Sequence, residues 1–234
     1  MHASRLLPLA ALLLLASCAH GGLRPLAEKE RPTSVVTFKP GEPVPAALRA
    51  KAEPVDPRDP QLRQLIDAMM VEFERTGGVG LAAPQVGVSR RLVLIKLGTR
   101  PKGDVRVEAF VNPIIEDVSQ DSELDWEACL SVDGGGGQVR RFKRIILTYD
   151  PVGGGSRIRA RLADWDARIA QHEVDHLDGV LFTDKVAGRL VPMAEMRKRR
   201  DELHRKRGWL PPEAAAPAPA EPPAAPSAPP PADD

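Results

Sequence analysis

Gln171-His172-Glu173-Val174-Asp175-His176 is the stretch around which the rest of this 234-residue chain makes chemical sense. Histidines four positions apart lie one above the other on a single helix face, so both imidazoles can address one metal ion. The glutamate beside the first histidine is then placed to take a proton from metal-bound water and pass it to a leaving amine. On a solvated helix face the same residues carry no chemistry, so the flanks decide. Asp164 or Asp166 is expected as the N-cap, Ile169 and Ala170 give apolar spacing, and Gly179 stands where a helix ends in a left-handed residue. These flanks predict a short, partly buried helix.

A catalytic zinc or iron takes three protein ligands and keeps one position for water, and this helix supplies two. One group of zinc proteases completes the set by continuing as H-E-x-x-H-x-x-G-x-x-H. Gly179 fits that pattern, but Phe182 stands at the place of the third histidine. Another group draws a glutamate from a later helix, and Glu195 is at a comparable distance. The third ligand is better sought upstream.

The composition, 42% hydrophobic and 28% charged, suits one globular domain with tails. A formal charge of +1 gives no sign of a nucleic-acid partner. Two basic runs, Arg197-Lys198-Arg199-Arg200 and Arg205-Lys206-Arg207, read as the solvated face of a terminal helix. Residues 1–18 read as a secretory signal, with Arg5 ahead of an apolar run over residues 6–16 that is too short to span a bilayer. The run closes in Leu15-Ala16-Ser17-Cys18, which resembles a bacterial lipobox, whose cysteine is lipidated and becomes the mature N-terminus. The expectation is a membrane-anchored lipoprotein of the cell envelope, cytoplasmic only if the leader is not used. With Cys18 consumed, Cys129 is the one thiol left and no intramolecular disulfide can form. An exported lone thiol needs burial or a metal to escape oxidation.

Residues 19–43, with Pro25, Pro32 and Pro40, read as a tether, and residues 44–208 as the catalytic domain. Residues 48–55 look extended. Asp59 and Pro60 open an amphipathic helix over residues 59–76, with Leu62, Leu65, Ile66, Met69, Met70 and Phe73 on one face and Gly77 at its end. The small residues of 78–87 let backbone approach something closely, but no Gly-Lys-Ser/Thr follows, which excludes a phosphate loop. Residues 91–96, 107–112, 145–149 and 157–162 are rich in branched side chains and read as strands. The glycine runs 134–137 and 153–155 read as flexible loops or hairpin connections, and residues 192–207 as a final charged helix. Residues 209–234 read as a disordered Pro/Ala-rich tail, which beyond Pro211 is almost wholly Ala, Pro, Glu and Asp and cannot bury enough apolar surface to order itself.

Three segments, 78–85, 127–131 and 171–176, together resemble the three signature motifs of the peptide deformylase family, over about residues 48–182. Gly78, Gly80, Ala82, Ala83 and Gln85 match its G-x-G-x-A-A-x-Q run. His172, Glu173, Asp175 and His176 match the third motif. Glu127-Ala128-Cys129-Leu130-Ser131 matches E-G-C-L-S with Ala128 in place of the glycine. The resemblance implies an α+β fold in which short antiparallel strands pack around a central helix carrying the H-E-x-x-H. It implies Cys129, His172 and His176 as ligands of one divalent ion, Fe(II) in most of the family and zinc or nickel in preparations. It implies Glu173 as general acid and base, the Gln85 side chain and the Leu130 N–H as oxyanion donors, and Val79, Gly80 and Arg141 as substrate-binding residues.

The implied reaction is removal of formyl from the N-terminal formyl-methionine of a polypeptide, by a monomer whose partner is that peptide. Two departures stand out. Ala128 adds a methyl beside the implied ligand, and Gly136 stands where the family usually carries an arginine that holds the peptide backbone. An exported deformylase would also not meet nascent chains. A related envelope amidase with another acyl or peptide substrate is therefore the alternative, and a catalytically silent binding protein a third. The intact Cys129, His172, Glu173, His176 and Gln85 argue against silence.

Overall fold

The computed structural model describes residues 26–100 and 103–210. The leader with Cys18, the start of the tether and residues 211–234 of the tail lie outside the described residues.

After a single turn, α1 (Ala46–Arg49), comes α2 (Pro60–Thr76). Asp59 caps α2, its carboxylate accepting from the Gln61 N–H at 2.8 Å, and Gly77 ends it in a left-handed conformation at φ 63°. Seven strands follow: β1 (Gly80–Ala82), β2 (Leu92–Leu97), β3 (Arg106–Val118), β4 (Ser122–Glu127), β5 (Gly137–Phe142), β6 (Arg144–Asp150) and β7 (Ile158–Ala163). Five of them form an antiparallel sheet in the order β1-β2-β3-β6-β7, while β4 and β5 form a separate two-stranded sheet. Then come α3 (Asp164–Leu177) and α4 (Met193–Lys206).

Helix α3 sits between the two sheets. Ile169, Ala170, Val174 and Leu177 pack with Val93, Ile95, Leu97, Phe110 and Leu147 of the large sheet. Each buried Val, Leu, Ile or Phe among them contributes about 1.5–3 kcal/mol. Residues 168, 172 and 176 recur every four positions and so share another face, which meets the β4–β5 hairpin. On its far side, α2 buries Leu62, Leu65, Met69 and Phe73 against Leu81, Leu92 and Leu94. The α+β architecture with a central helix wrapped by antiparallel strands is the one the resemblance implies.

Several local expectations need correction. Neither Asp164 nor Asp166 caps α3: the N-cap position is Ala163, Asp164 has φ 52°, and Asp166 accepts from the Gly98 N–H at 3.1 Å. Residues 26–43 are not a free tether, because Leu26 and Phe38 are buried and the Val36 N–H donates to the Gln85 carbonyl at 2.7 Å. The stretch from 48 onward begins within α1 rather than extended. Strands β1, β4 and β5 were not foreseen, since β1 spans three residues and Ser122–Glu127 is mostly polar.

The glycine run 134–137 is not a loose loop either. Gly136 exchanges two backbone hydrogen bonds with Val191, at 3.0 and 2.8 Å. A Cβ at Gly135 would stand 2.0 Å from the Val191 carbonyl oxygen, and one at Gly136 would stand 2.6 Å from Cγ of Met196. Absent side chains here make a cradle for the chain entering α4. The other end of α4 is tied down by His204, fully buried, whose Nε2 lies 2.8 Å from the Asp125 carboxylate on β4.

Candidate active site

The turn after β4 and one face of α3 converge on a point. Cys129 Sγ lies 3.3 Å from His176 Nε2, and the ligand atoms of Cys129, His172 and His176 all fall within 4.8 Å of one another. The turn is stiffened locally, with Ser131 N–H directed at the Cys129 sulfur at 3.4 Å and Val132 N–H at the Cys129 carbonyl at 3.1 Å.

Glu127 orders this convergence from behind. Its buried carboxylate accepts from Arg141 Nε and Nη2, both at 2.9 Å, from Arg168 Nη1 at 2.7 Å and from His172 Nδ1 at 2.9 Å. Burial alone would raise the carboxyl's pKa, but the Arg141 charge and the His172 hydrogen bond hold it far below the usual carboxylate range. With Nδ1 turned to Glu127, His172 directs Nε2 toward Cys129.

The donor set fits a divalent cation. A thiolate and two imidazole nitrogens make a shell suited to zinc or iron and leave a further position open. Burial, His172 and Arg141 keep His176 well below its ordinary pKa, so its Nε2 is an uncharged donor. Burial would do the same to His172, yet the Cys129 and Glu127 contacts outweigh it and raise its pKa well above the ordinary value. The centre thus attracts positive charge, and a cation would take that proton's place.

Glu173 lies on the same helix with Oε2 buried and, among the described residues, without a hydrogen-bond partner. Burial pushes its carboxyl up to about 7, with the His172 charge opposing and Glu127 adding to the rise. Across from it, β1 comes so near that a Cβ on Gly80 would stand 2.1 Å from Glu173 Oε1. Gln85 sits in the 3-10 turn Ala83–Val86. Its Oε1 accepts from the Ala82 N–H at 2.8 Å, which turns Nε2 toward Cys129 Sγ at 3.4 Å and Ser131 Oγ at 3.2 Å.

A cavity of about 410 Å³ opens on these groups. Val79, Gly80, Gln85, Cys129, Leu130, His172 and Glu173 all line it, and His176 lies behind Cys129. Among the described residues the Leu130 N–H has no acceptor. Arg141 is the exception among the expected site residues. It is buried, its guanidinium is held by Glu127 and Asp175, and it does not line the cavity, so it is not placed to grip a substrate. Glu195 is on α4, paired with Arg199, and stands outside the ligand cluster. Phe182, at the protease-like third position, stacks on His172 with ring centroids 6.1 Å apart. Ala128 has no positive φ, so its methyl brings no backbone strain.

Sequence reasoning overlooked Glu127 as the organiser, and it overlooked Arg168, Trp126, Trp165 and the α4 side chains that wall the cavity. A signal for two of them was present. Glu127 is the acid two positions before Cys129, and Arg168 stands one helical turn before His172 on the same face.

A thiolate and two imidazoles about one point, with a protonatable buried carboxyl beside them, define a metal-dependent hydrolase. The profile of the family described as polypeptide deformylase matches residues 38–190. A peptide deformylase from Halothermothrix orenii is 41% identical over 148 residues, covering 63% of this chain and 90% of that relative. Peptide deformylase 1A, chloroplastic/mitochondrial, of Arabidopsis thaliana is 35% identical over 187 residues, covering 72% and 68%. The solved class I type b peptide deformylase of Acinetobacter baumannii bound to Met-Ala-Ser superposes with a TM-score of 0.58 at 34% identity, covering 66% of this chain and 98% of that one. The chain belongs to the polypeptide deformylase family.

Two outcomes follow from the packing around Glu173. Gly80→Ala should leave fold and metal content intact but lower turnover at least tenfold, because the new methyl displaces the carboxylate; unchanged kcat would show that Glu173 need not sit there. The second concerns pH. A carboxyl whose folded-state pKa is raised favours folding below its unfolded value near 4.5, and that contribution is lost as pH rises through about 7. Glu173→Gln carries no charge to bury. In urea titrations the metal-stripped variant should therefore gain on the wild type between pH 5 and 8; parallel pH curves would place Glu173 in a solvated site.

Proposed function

We infer that this chain removes the formyl group from the N-terminal formyl-methionine of polypeptides, with one divalent ion held by Cys129, His172 and His176. The observation that carries this reading is the convergence of those three ligand atoms beside one cavity that Cys129, His172, Glu173 and Gln85 line. The Acinetobacter relative is a deformylase that holds Met-Ala-Ser, which supports a peptide as the molecule bound. Fe(II) is the ion implied by the family, with zinc or nickel able to fill the same donors.

When bound, such an ion acidifies water toward a pKa of ~7 and polarises a substrate carbonyl. Glu173, with its carboxyl near 7, takes the proton from the attacking water and returns it to the departing amine. Gln85 Nε2, aimed by the Ala82 N–H at Oε1, donates to the oxygen of the formyl group as it gains charge, and the Leu130 N–H gives a second donor. A donor of this kind is worth about 3–4 kcal/mol in the transition state. Val79 and Gly80 border the cavity at β1, the edge strand of the sheet, where backbone groups can pair with an extended peptide. Arg141 acts at one remove, holding Glu127 and Asp175 in place.

The test uses four proteins and two peptides. Wild type should hydrolyse formyl-Met-Ala-Ser and spare acetyl-Met-Ala-Ser. Cys129→Ala should lose stoichiometric metal, Glu195→Gln should keep it, and Glu173→Gln should keep metal while losing turnover. Equal turnover of the acetyl peptide would instead favour a broader amidase.

We also propose that Arg5, the apolar run and Leu15-Ala16-Ser17-Cys18 direct the chain to the envelope, anchored through lipid on Cys18. Export exposes Fe(II) and the Cys129 thiolate to oxidants, which favours zinc there. The protein should fractionate with membranes, and Cys18→Ala should release it or leave an unprocessed precursor. Full-length, unmodified protein in the cytoplasm would overturn the anchor.

A further inference from the structure

Helix α4 forms one wall of the cavity, through Met193, Met196, Arg197 and Arg200. The match to the family profile ends at residue 190, before α4 begins. The wall is seated firmly, because Met196 is fully buried and its Cγ occupies the space that a side chain at Gly136 would take. Arg197 follows Met196 directly, so the packing that fixes the helix also fixes where Arg197 leaves it.

Most acids near this wall already have partners; among the described residues Glu202 on α4 and Glu173 across the cavity form no ion pair. Glu195 pairs with Arg199, Asp201 with Arg100 and Arg200, and Asp125 with His204 and Arg207. At the metal end, Glu127 is taken by Arg141, Arg168 and His172. Arg197 is exposed, lines the cavity and makes no ion pair or hydrogen bond with any described residue. Of its basic neighbours, Arg199 and Arg200 are paired with Glu195 and Asp201. The rim thus presents a guanidinium fork with its donors unused, and the group that matches such a fork is a carboxylate.

We propose that Arg197 is a specificity-determining residue that selects formyl peptides carrying a carboxylate in the residues after the formyl-methionine. The inference rests on the deformylase reading and adds a substrate class to it. The carboxylate can be an acidic side chain or the terminus of a short peptide, and the two sources are separable.

Four formyl peptides decide: formyl-Met-Ala-Ser amide, formyl-Met-Ala-Asp amide, formyl-Met-Ala-Lys amide and formyl-Met-Ala-Ser as the free acid. For the wild-type holoenzyme, kcat/KM should be about two- to fivefold higher for a carboxylate peptide than for the neutral amide, the range an exposed ion pair supports. The difference should lie in KM and shrink as salt is raised. Preference for the Asp amide alone assigns a side chain, and for the free acid alone a peptide terminus. Arg197→Gln should abolish the discrimination and Arg197→Glu should invert it toward the Lys amide, while Lys198→Gln, off the cavity, should keep it. Equal kcat/KM across the peptides, or discrimination that survives Arg197→Gln, would overturn the proposal alone. Absence of turnover with all four would overturn the deformylase reading and this proposal with it.

Discussion

One buried carboxylate holds the site together. Glu127 accepts hydrogen bonds from Arg141 on β5 and from Arg168 and His172 on α3, so a single side chain fastens the hairpin to the central helix. Removing this charge from water costs several kcal/mol, and the pairings largely offset rather than exceed that cost. Its value is positional. Any shift of α3 relative to the hairpin would leave an unpaired charge in the interior, a penalty of about 3–5 kcal/mol. Cys129, two residues beyond Glu127, is thereby held in a fixed relation to His172 and His176.

The backbone makes room for what that carboxylate organises. Gly80 allows β1 to approach Glu173, and Gly135 and Gly136 allow the chain at Val191 to close over the hairpin. Both are close approaches in which a methyl group would meet protein atoms well inside contact distance. Gly80, Gly135 and Gly136 thus serve close approach rather than loosening. The consequence reaches the cavity, because the second approach sets α4 as its wall.

Legibility in the sequence followed the range of the interaction. Capping of α2 by Asp59, its left-handed stop at Gly77 and the H-E-x-x-H face of α3 are local, and all were readable from spacing alone. The third ligand was not: H-E-x-x-H left it open, and Cys129 entered only through resemblance of the Glu127–Ser131 segment to a family motif. Arg141 shows the limit most clearly. Sequence records its charge but not that Glu127 and Asp175 consume it, so a residue expected to face substrate faces the interior. Strands β4 and β5 escaped notice for a related reason. Their inward residues, Asp125, Glu127 and Arg141, are charged and paired with partners distant in sequence, which erases the apolar alternation by which strands are recognised.

The same pairing logic divides labour between two glutamates. Glu127 and Glu173 are both buried, yet three cationic or hydrogen-bonding partners keep the first charged, while the second has an oxygen with no partner among the described residues and rises to about 7. A permanently charged group suits the task of fixing a tautomer and an imidazole's orientation, because it accepts the Nδ1–H hydrogen bond without ever taking the proton. A group poised near neutrality suits the task of taking a proton and giving it back. Exchanging the two environments would defeat both tasks without changing a single residue type at the centre. The arginines at positions 141 and 168 therefore shape this site electrostatically: by claiming one carboxylate they leave the other as the group poised near neutrality.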